Sequence, residues 1–250
     1  MKTSSLLSLS LLSLMASAPV LADSEQGLCQ PKAYEMALRY QQQSAEIKAI
    51  QIQAYTLATY RLKEILQETK KSPKDLAVVL DLDETVLDNS PLLVRDMENC
   101  VDYTTWDTWS DWEKKGHPTL IPGAKDFIDF ADKSGLNVYY VSDRFGENKP
   151  YTIKTLEELD LPQAEESHVL LYGTPKEARR QSIADNHDIV MLLGDSLPDF
   201  AAEFKNKKDT KYNRELVEKE ASHFGKDWIV LPNASYGAWK KAELNAWEEK

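Results

Sequence analysis

Residues 78–91 read VVLDLDETVLDNSP, an apolar run that ends in acidic side chains. The first part has the composition of a buried strand, and Asp81 and Asp83 follow it with one residue between them. Carboxylates this close repel each other and resist burial unless a positive charge lies between them. The stretch therefore predicts a strand whose carboxyl end carries a cation-binding site.

Four similar apolar runs follow, each short and rich in Val, Leu, Ile or Tyr. They are LNVYYVSD (136–143), HVLLYG (168–173), IVMLLGDS (189–196) and DWIVLP (227–232). Helical patterns separate the runs or follow them, at 123–134, 151–160, 175–186 and 198–206. Strands that alternate with helices predict an α/β fold with a parallel sheet covered on both faces. In such sheets, functional groups gather at the carboxyl ends of the strands.

Two segments lie outside this alternation. Residues 31–70 contain no Gly and place apolar residues at helical spacing, which predicts one long helix or two joined helices packed against the core. Residues 92–121 are polar and carry Trp106, Trp109 and Trp112, which predicts an insertion after the first strand. We therefore divide the chain into a signal peptide (1–22), a helical segment (23–75) and a core (76–250) with its insertion.

The first residues have the pattern of a secretory signal peptide: a basic start, an apolar run too short to cross a membrane, and small residues after it. Cleavage after Ala18 or after Ala22 fits, and Pro19 disfavours the former. A retained amphipathic anchor is the alternative. We expect a periplasmic or secreted protein in which Cys29 and Cys100 either pair or stay free. Leu28 disfavours a lipid anchor on Cys29, so we expect no stable membrane anchor.

The charge balance narrows the range of partners. The chain has 41 Asp and Glu against 30 Lys and Arg, a formal net charge of -11. An acidic exterior argues against a nucleic acid polymer or an anionic membrane as partner. An anionic substrate must therefore be attracted by local positive groups.

The strand ends predict one acidic cluster. Asp81, Asp83 and Asp195, with Asp199 close by, should converge from two strands, and such oxygen-rich clusters suit Mg²⁺. A carboxylate can serve as the nucleophile of phosphoryl transfer through an aspartyl-phosphate. A second acid two residues further on can protonate the leaving oxygen and later activate water.

A transferring phosphoryl group also needs donors for its oxygens. Ser142 at the end of its strand can donate a hydroxyl, and Lys176 at the start of a helix can supply a positive charge. Arg179 or Arg180, one turn further on, can take the place of Lys176, and Arg144 is another candidate.

Six stretches resemble the motif set of the class C acid phosphatases, members of the haloacid dehalogenase (HAD) superfamily. They are LDLDETVLDNSP (80–91), PGAKDFIDF (122–130), VYYVSDR (138–144), KEARR (176–180), LLGDSLPDF (192–200) and IVLPNASYGAW (229–239). The resemblance runs from about residue 76 to 240 with the motifs in order. It implies a Rossmann-like HAD core, Mg²⁺ and hydrolysis of phosphomonoesters, often nucleoside monophosphates.

The resemblance also implies a role for each matching residue. The nucleophile is Asp81, the acid/base is Asp83 with its backbone carbonyl on the metal, and a metal ligand is Asp195. The phosphate contacts are Ser142 and Lys176, and the supporting residues are Asp199, Asp143 and Arg144. The resemblance also places base-stacking aromatics in the insertion and in the segment around Tyr236; counting back from Pro122 favours Trp109 in the insertion, with Trp106 and Trp112 as the alternatives. The family commonly has Asn at the position of Asp143 and at that of Ser196. These departures put secondary contacts in doubt and leave the chemistry in place.

The sequence thus predicts a secreted, Mg²⁺-dependent acid phosphatase for small-molecule phosphomonoesters. A phosphotransferase that uses the same intermediate is one alternative. A non-enzymatic binding or storage protein on the same core is another, and the presence of Asp81 with its partners disfavours it. A homodimer stays open.

Overall fold

The computed structural model describes residues 29–205 and 210–247, so the predicted signal peptide lies outside the described residues. Two joined helices open this part, α1 (Glu35–Gln43) and α2 (Ala45–Glu68). Ser44 separates them because its extended backbone ends α1, while its hydroxyl accepts a hydrogen bond from Ile47 N and caps α2. This is the two-helix form of the predicted helical segment.

Seven strands lie in the described residues. In chain order they are β1 (Leu76–Leu80), β2 (Leu87–Asp88), β3 (Thr119–Leu120), β4 (Asn137–Val141), β5 (Val169–Leu170), β6 (Asp188–Gly194) and β7 (Trp228–Val230). Five of them form a parallel sheet in the order β5-β4-β1-β6-β7, and each corresponds to one of the apolar runs. The α/β prediction with a parallel sheet is confirmed.

Helices connect these strands. The remaining ones are α3 (Ser90–Glu98), α4 (Trp109–Lys115), α5 (Ala124–Lys133), α6 (Lys149–Glu158), α7 (Lys176–Ala184) and α8 (Thr210–Lys219). The helix predicted at 198–206 is wrong. Two short 3₁₀ turns, Leu197–Asp199 and Ala202–Phe204, occupy this range. A capping box between Ser196 and Asp199 caps the first of these turns at its start.

Helix α2 belongs to the same hydrophobic core as the sheet. Its residues Tyr55, Ala58 and Leu62 are buried in one cluster with strand residues such as Val78. Gly123, just before α5, has a φ of 92°, and a Cβ there would lie 2.9 Å from Tyr55 Cβ. Glycine is needed at this point both for the left-handed backbone and for the close approach of α2.

The insertion is bracketed by the antiparallel pair β2–β3 and contains α3 and α4. A disulfide joins Cys29 to Cys100, with Cα atoms 5.5 Å apart, and thus ties the start of the helical segment to the insertion. The boundaries of the three parts of the chain stay a prediction. Over the described ranges, no helix has both the length and the apolar character needed to cross a membrane.

Candidate active site

The carboxyl ends of β1 and β6 bring three carboxylates together. The two strands are parallel neighbours, and the Asp81 amide donates to the Leu193 carbonyl at 3.0 Å. Asp81, Asp195 and Asp199 each offer an oxygen, and these atoms lie within 4.8 Å of one another. We call these three residues the carboxylate cluster. The predicted convergence of Asp81 and Asp195 is therefore seen at adjacent strand ends.

Asp199 enters the cluster because Gly194 leaves space for it. A Cβ at Gly194 would lie 2.5 Å from both Cβ and Oδ2 of Asp199, closer than atoms can pack. The Ser196 amide donates to Asp199 Oδ2 at 2.9 Å and fixes the carboxylate. The sequence assigned Asp199 a supporting role, whereas the structure places it among the candidate ligands.

Lys176 lies between two members of the cluster. Its Nζ is 2.6 Å from Asp81 Oδ1 and 2.6 Å from Asp199 Oδ1, and all three side chains are buried. Burial by itself lowers the pKa of Lys176, but Asp199 and Asp81 more than offset this effect and raise it. Lys176 is therefore a fixed positive charge beside the predicted nucleophile.

The two arginines proposed as substitutes for Lys176 bond elsewhere. Arg179 donates to the carbonyls of Ser142 and Leu170 and forms an ion pair with Asp143. Arg180 donates to the carbonyls of Pro198 and Asp199 and pairs with Glu177. Both side chains hold the loops that follow strands β4 and β6.

Asp83 forms a separate network. Its carboxylate accepts from Arg144, with Nη2 2.8 Å away, from Ser142 Oγ at 3.0 Å and from Asn89 Nδ2 at 2.9 Å. The carboxylate of Asp83 is therefore not part of the carboxylate cluster, which in the described residues consists of Asp81, Asp195 and Asp199. The structure does not place the Asp83 side chain among the candidate metal ligands. Its backbone carbonyl stays the predicted metal contact, and Arg144 orients the side chain.

The carboxylate cluster suits a hard divalent cation. Burial raises the pKa of Asp81 well above its usual value, and the neighbouring carboxylates add to this rise although Lys176 opposes it. Burial and the adjacent Asp199 raise the pKa of Asp195 to about 7. A further positive charge would relieve this repulsion, and carboxylate oxygens are the donors that hard cations prefer. The residues present therefore fit such an ion.

Two asparagines that have no individual role in the sequence-based prediction support the site. Asn89 bridges Asp83, Arg144 and the Trp112 indole, and Asn233 donates to Asp195 Oδ2 at 2.7 Å. Both asparagines lie inside motif stretches quoted above, and this membership was the available signal. Their partners include residues far away in the chain, Arg144 for Asn89 and Asp195 for Asn233.

Glu113 of α4 connects the insertion to the loop after β4. Its carboxylate accepts from Asn148 Nδ2 at 2.7 Å and from the Phe145 amide at 3.2 Å. Burial raises the pKa of Glu113 to about 7, and Asp83 adds to this rise, while Asn148 and Arg144 oppose it. The acid is thus more stable in its neutral form in the folded protein than in the unfolded chain.

This shift predicts a pH-dependent stability. Folding raises the Glu113 pKa from 4.5 to about 7. The contribution of Glu113 to the free energy of unfolding is therefore complete below pH 4.5 and is lost as the pH rises through about 7. The melting temperature of metal-free wild type should fall between pH 5 and pH 8, and this fall should be smaller in Glu113→Gln by roughly 2 to 4 °C. Such a difference corresponds to about 1 kcal/mol in a chain of this size. Glu158→Gln, at an exposed site, is the control. An unchanged fall in the Glu113 variant would contradict the prediction.

Three aromatic rings form one cluster beside the site. The ring centroid of Trp106 lies 5.0 Å from that of Trp109 and 5.3 Å from that of Tyr236. Trp109 is only 4% exposed, and its indole donates to the Tyr103 carbonyl, whereas Trp106 is 44% exposed. Burial argues against direct stacking of Trp109 on a ligand, so Trp106 presents the accessible indole face. Trp112 is held by Asn89.

Comparisons with known proteins point to one enzyme family. The model of the HAD superfamily, subfamily IIIB (acid phosphatase), matches residues 6–239. The solved class C acid phosphatase from Bacillus anthracis is 34% identical, with a TM-score of 0.79; the match covers 86% of this chain and 89% of that chain. The structure of the Bacillus anthracis class C acid phosphatase with tungstate bound is also 34% identical, with a TM-score of 0.80; the match covers 86% of this chain and 90% of that chain.

Proposed function

Because the chain belongs to HAD subfamily IIIB, the acid phosphatases, and is a phosphomonoesterase, we propose that it is a secreted, Mg²⁺-dependent enzyme that prefers nucleoside monophosphates. The observation that carries this proposal is Lys176 placed between two members of the carboxylate cluster, with Asp83 held nearby by Arg144. The predicted resemblance to class C acid phosphatases is confirmed.

The cluster has the parts of a double-displacement reaction. Asp81 attacks phosphorus and forms an acyl phosphate while the bond to the leaving oxygen breaks, and Asp83 gives that oxygen its proton. Water then attacks the phosphorus of the acyl phosphate, Asp83 takes a proton from the water, and Asp81 leaves as a carboxylate. The phosphomonoester is thus converted to an alcohol and inorganic phosphate.

The other residues bind and orient the groups. Lys176 balances the charge on Asp81 and contacts the phosphoryl oxygens. The Ser142 hydroxyl, which donates to Asp83 in this structure, would donate its single hydrogen to the phosphate when substrate binds. Asp81, Asp195 and Asp199, with the Asp83 carbonyl, would hold Mg²⁺. When bound, the ion supplies charge stabilisation for the transferring phosphoryl group. That a solved relative carries tungstate, an oxyanion, supports an anion site here.

Nucleotide preference is supported by the aromatic cluster. Trp106 exposes its indole, and Tyr236 is half-buried with its hydroxyl bonded to Glu84 in the segment that follows the nucleophile. Aromatic faces of this type stack on nucleobases. The Cys29–Cys100 disulfide supports export to an oxidising compartment, where such bonds persist.

The proposal is tested by phosphate release from AMP and from p-nitrophenyl phosphate, with Mg²⁺ and with EDTA, from mildly acidic to neutral pH. We expect metal-dependent release from both substrates and a higher kcat/KM for AMP. No release from folded, metal-loaded protein would favour the binding-protein alternative. Equal rates with Mg²⁺ and with EDTA would contradict only the metal requirement. A higher kcat/KM for p-nitrophenyl phosphate than for AMP would contradict only the nucleotide preference.

Removal of the accessible indole should change substrate preference. Trp106→Ala should raise KM for AMP by about tenfold, since stacking contributes roughly 1–3 kcal/mol per base, and should leave KM for glycerol phosphate nearly unchanged. Steady-state kinetics on the two substrates give the ratio. Trp247→Ala, which removes an indole that is 84% exposed near the carboxyl terminus, is the matched control. A similar rise for both substrates would assign Trp106 to packing.

A further inference from the structure

Gln41 of α1 contacts a loop 191 residues away in the chain. Its side chain is 5% exposed, its Nε2 donates to the Pro232 carbonyl at 3.2 Å, and its Oε1 accepts from the Ala234 amide at 3.0 Å. A side-chain amide bound at both ends to one backbone segment fixes the position and the direction of that segment. We call residues 232–237 the C-terminal loop.

The residue between these two contacts reaches the carboxylate cluster. Asn233 Nδ2 donates to Asp195 Oδ2 at 2.7 Å, so the backbone position of Asn233 sets where this candidate ligand is held. Asn233 Oδ1 accepts from the amides of Ser235 at 2.8 Å and Tyr236 at 3.4 Å. The same asparagine therefore joins the candidate metal site to the candidate base-stacking ring.

The other anchors of the C-terminal loop lie further along it. Tyr103 donates its hydroxyl to the Ser235 carbonyl at 2.9 Å, and the Tyr236 hydroxyl bonds to Glu84. These bonds hold residues 235 and 236, whereas Gln41 holds residues 232 and 234 on either side of Asn233. Loss of Gln41 would leave two polar backbone groups of the loop without this partner, and the segment that carries Asn233 would shift.

We propose that Gln41 is a positioning residue for both Asp195 and Tyr236, which makes the amino-terminal helical segment a functional part of the active site. This inference rests on the proposed function. It differs from a purely structural role because Gln41 should then influence metal affinity and nucleotide KM beyond its effect on the folded fraction. The effect runs through Asn233.

Two matched variants test the inference. Gln41→Met keeps the length of the side chain and removes both hydrogen bonds, while Gln51→Met makes the same change at a glutamine of α2 that is 4% exposed. Calorimetric titration of metal-free protein with Mg²⁺ gives the dissociation constant without any activity measurement. Steady-state kinetics at saturating Mg²⁺ then give KM and kcat for AMP and for glycerol phosphate.

We expect Gln41→Met to raise the Mg²⁺ dissociation constant and the KM for AMP by about threefold to tenfold, the effect of one or two lost hydrogen bonds. The kcat for glycerol phosphate should stay within about twofold of wild type. Saturating Mg²⁺ fills the metal site, and this substrate has no base to stack on Tyr236. Gln51→Met should leave all of these constants at their wild-type values.

Equal Mg²⁺ constants and KM values in Gln41→Met and wild type would overturn the inference, whatever happens to the melting temperature. Equal changes in both glutamine variants would assign Gln41 to packing. If Gln41→Met does not fold, Gln41→Glu keeps the acceptor for Ala234 and replaces the donor to Pro232 with a carboxylate oxygen that the carbonyl repels, and the same constants should rise. Mg²⁺ binding without hydrolysis by wild type would refute the proposed function but leave the Gln41 comparison decisive, and absence of Mg²⁺ binding would refute both.

Discussion

Asp81→Asn should lower kcat for p-nitrophenyl phosphate by about 10³-fold or more, because a neutral amide cannot form the acyl phosphate. The substitution hardly changes side-chain volume, and Lys176 keeps its ion pair with Asp199. We therefore expect the variant to fold with a cooperative thermal transition. Single-turnover assays at high enzyme concentration distinguish residual chemistry from traces of contaminating phosphatase.

A matched control for this variant lies in the same segment. Asp88→Asn changes a half-buried aspartate that accepts from the Ser90 amide and lies outside the carboxylate cluster. It should keep kcat within about twofold of wild type, since the amide oxygen still accepts that hydrogen bond. More than one per cent of wild-type kcat in Asp81→Asn would exclude Asp81 as the nucleophile.

Lys176→Met should have the second largest effect. The change leaves Asp81 and Asp199 buried without their shared cation, which should lower kcat/KM by about 10²-fold through loss of the charge that faces the phosphoryl group. The repulsion between the two carboxylates should also destabilise metal-free protein by about 3 kcal/mol, the typical cost of one missing partner in a buried ion pair.

The measurement combines kinetics with thermal unfolding at several Mg²⁺ concentrations. Because a divalent cation would offset the lost charge, Mg²⁺ should raise the melting temperature of Lys176→Met more than that of wild type. Lys205→Met, at an exposed lysine 3.8 Å from Asp143, is the control and should behave as wild type. Full activity of Lys176→Met would show that Lys176 does not bind phosphate. Its ion pairs with Asp81 and Asp199 would then have only a structural role.

The local pattern was sufficient for the fold. Short apolar runs separated by helical patterns predicted each strand of the parallel sheet, since strand and helix periodicity are properties of neighbouring residues. It also predicted that Asp81 and Asp195 would meet, because carboxyl ends of parallel strands share one edge of the sheet. Lys176 was predicted to face the site from its position at the start of a helix, and its Nζ lies 2.6 Å from Asp81 Oδ1.

The side-chain environments were not predictable in this way. Sequence reasoning expected a helix at 198–206, whereas a tight turn that depends on Gly194 carries Asp199 into the carboxylate cluster. It selected Trp109 for stacking, yet packing against Tyr103 buries that indole and leaves Trp106 accessible. Each outcome depends on how side chains pack in three dimensions, which strand and helix periodicity does not specify.

The sequence by itself determined the α/β fold, the family and the residues at the strand ends, because these follow from local periodicity and from motifs. Only the tertiary structure decided which carboxylates share Lys176, which hydrogen bonds hold Asp83, and that Gln41 reaches a loop at the other end of the chain. The physical reason is that burial, hydrogen-bond partners and charge balance arise from contacts between residues far apart in sequence, which no local pattern specifies.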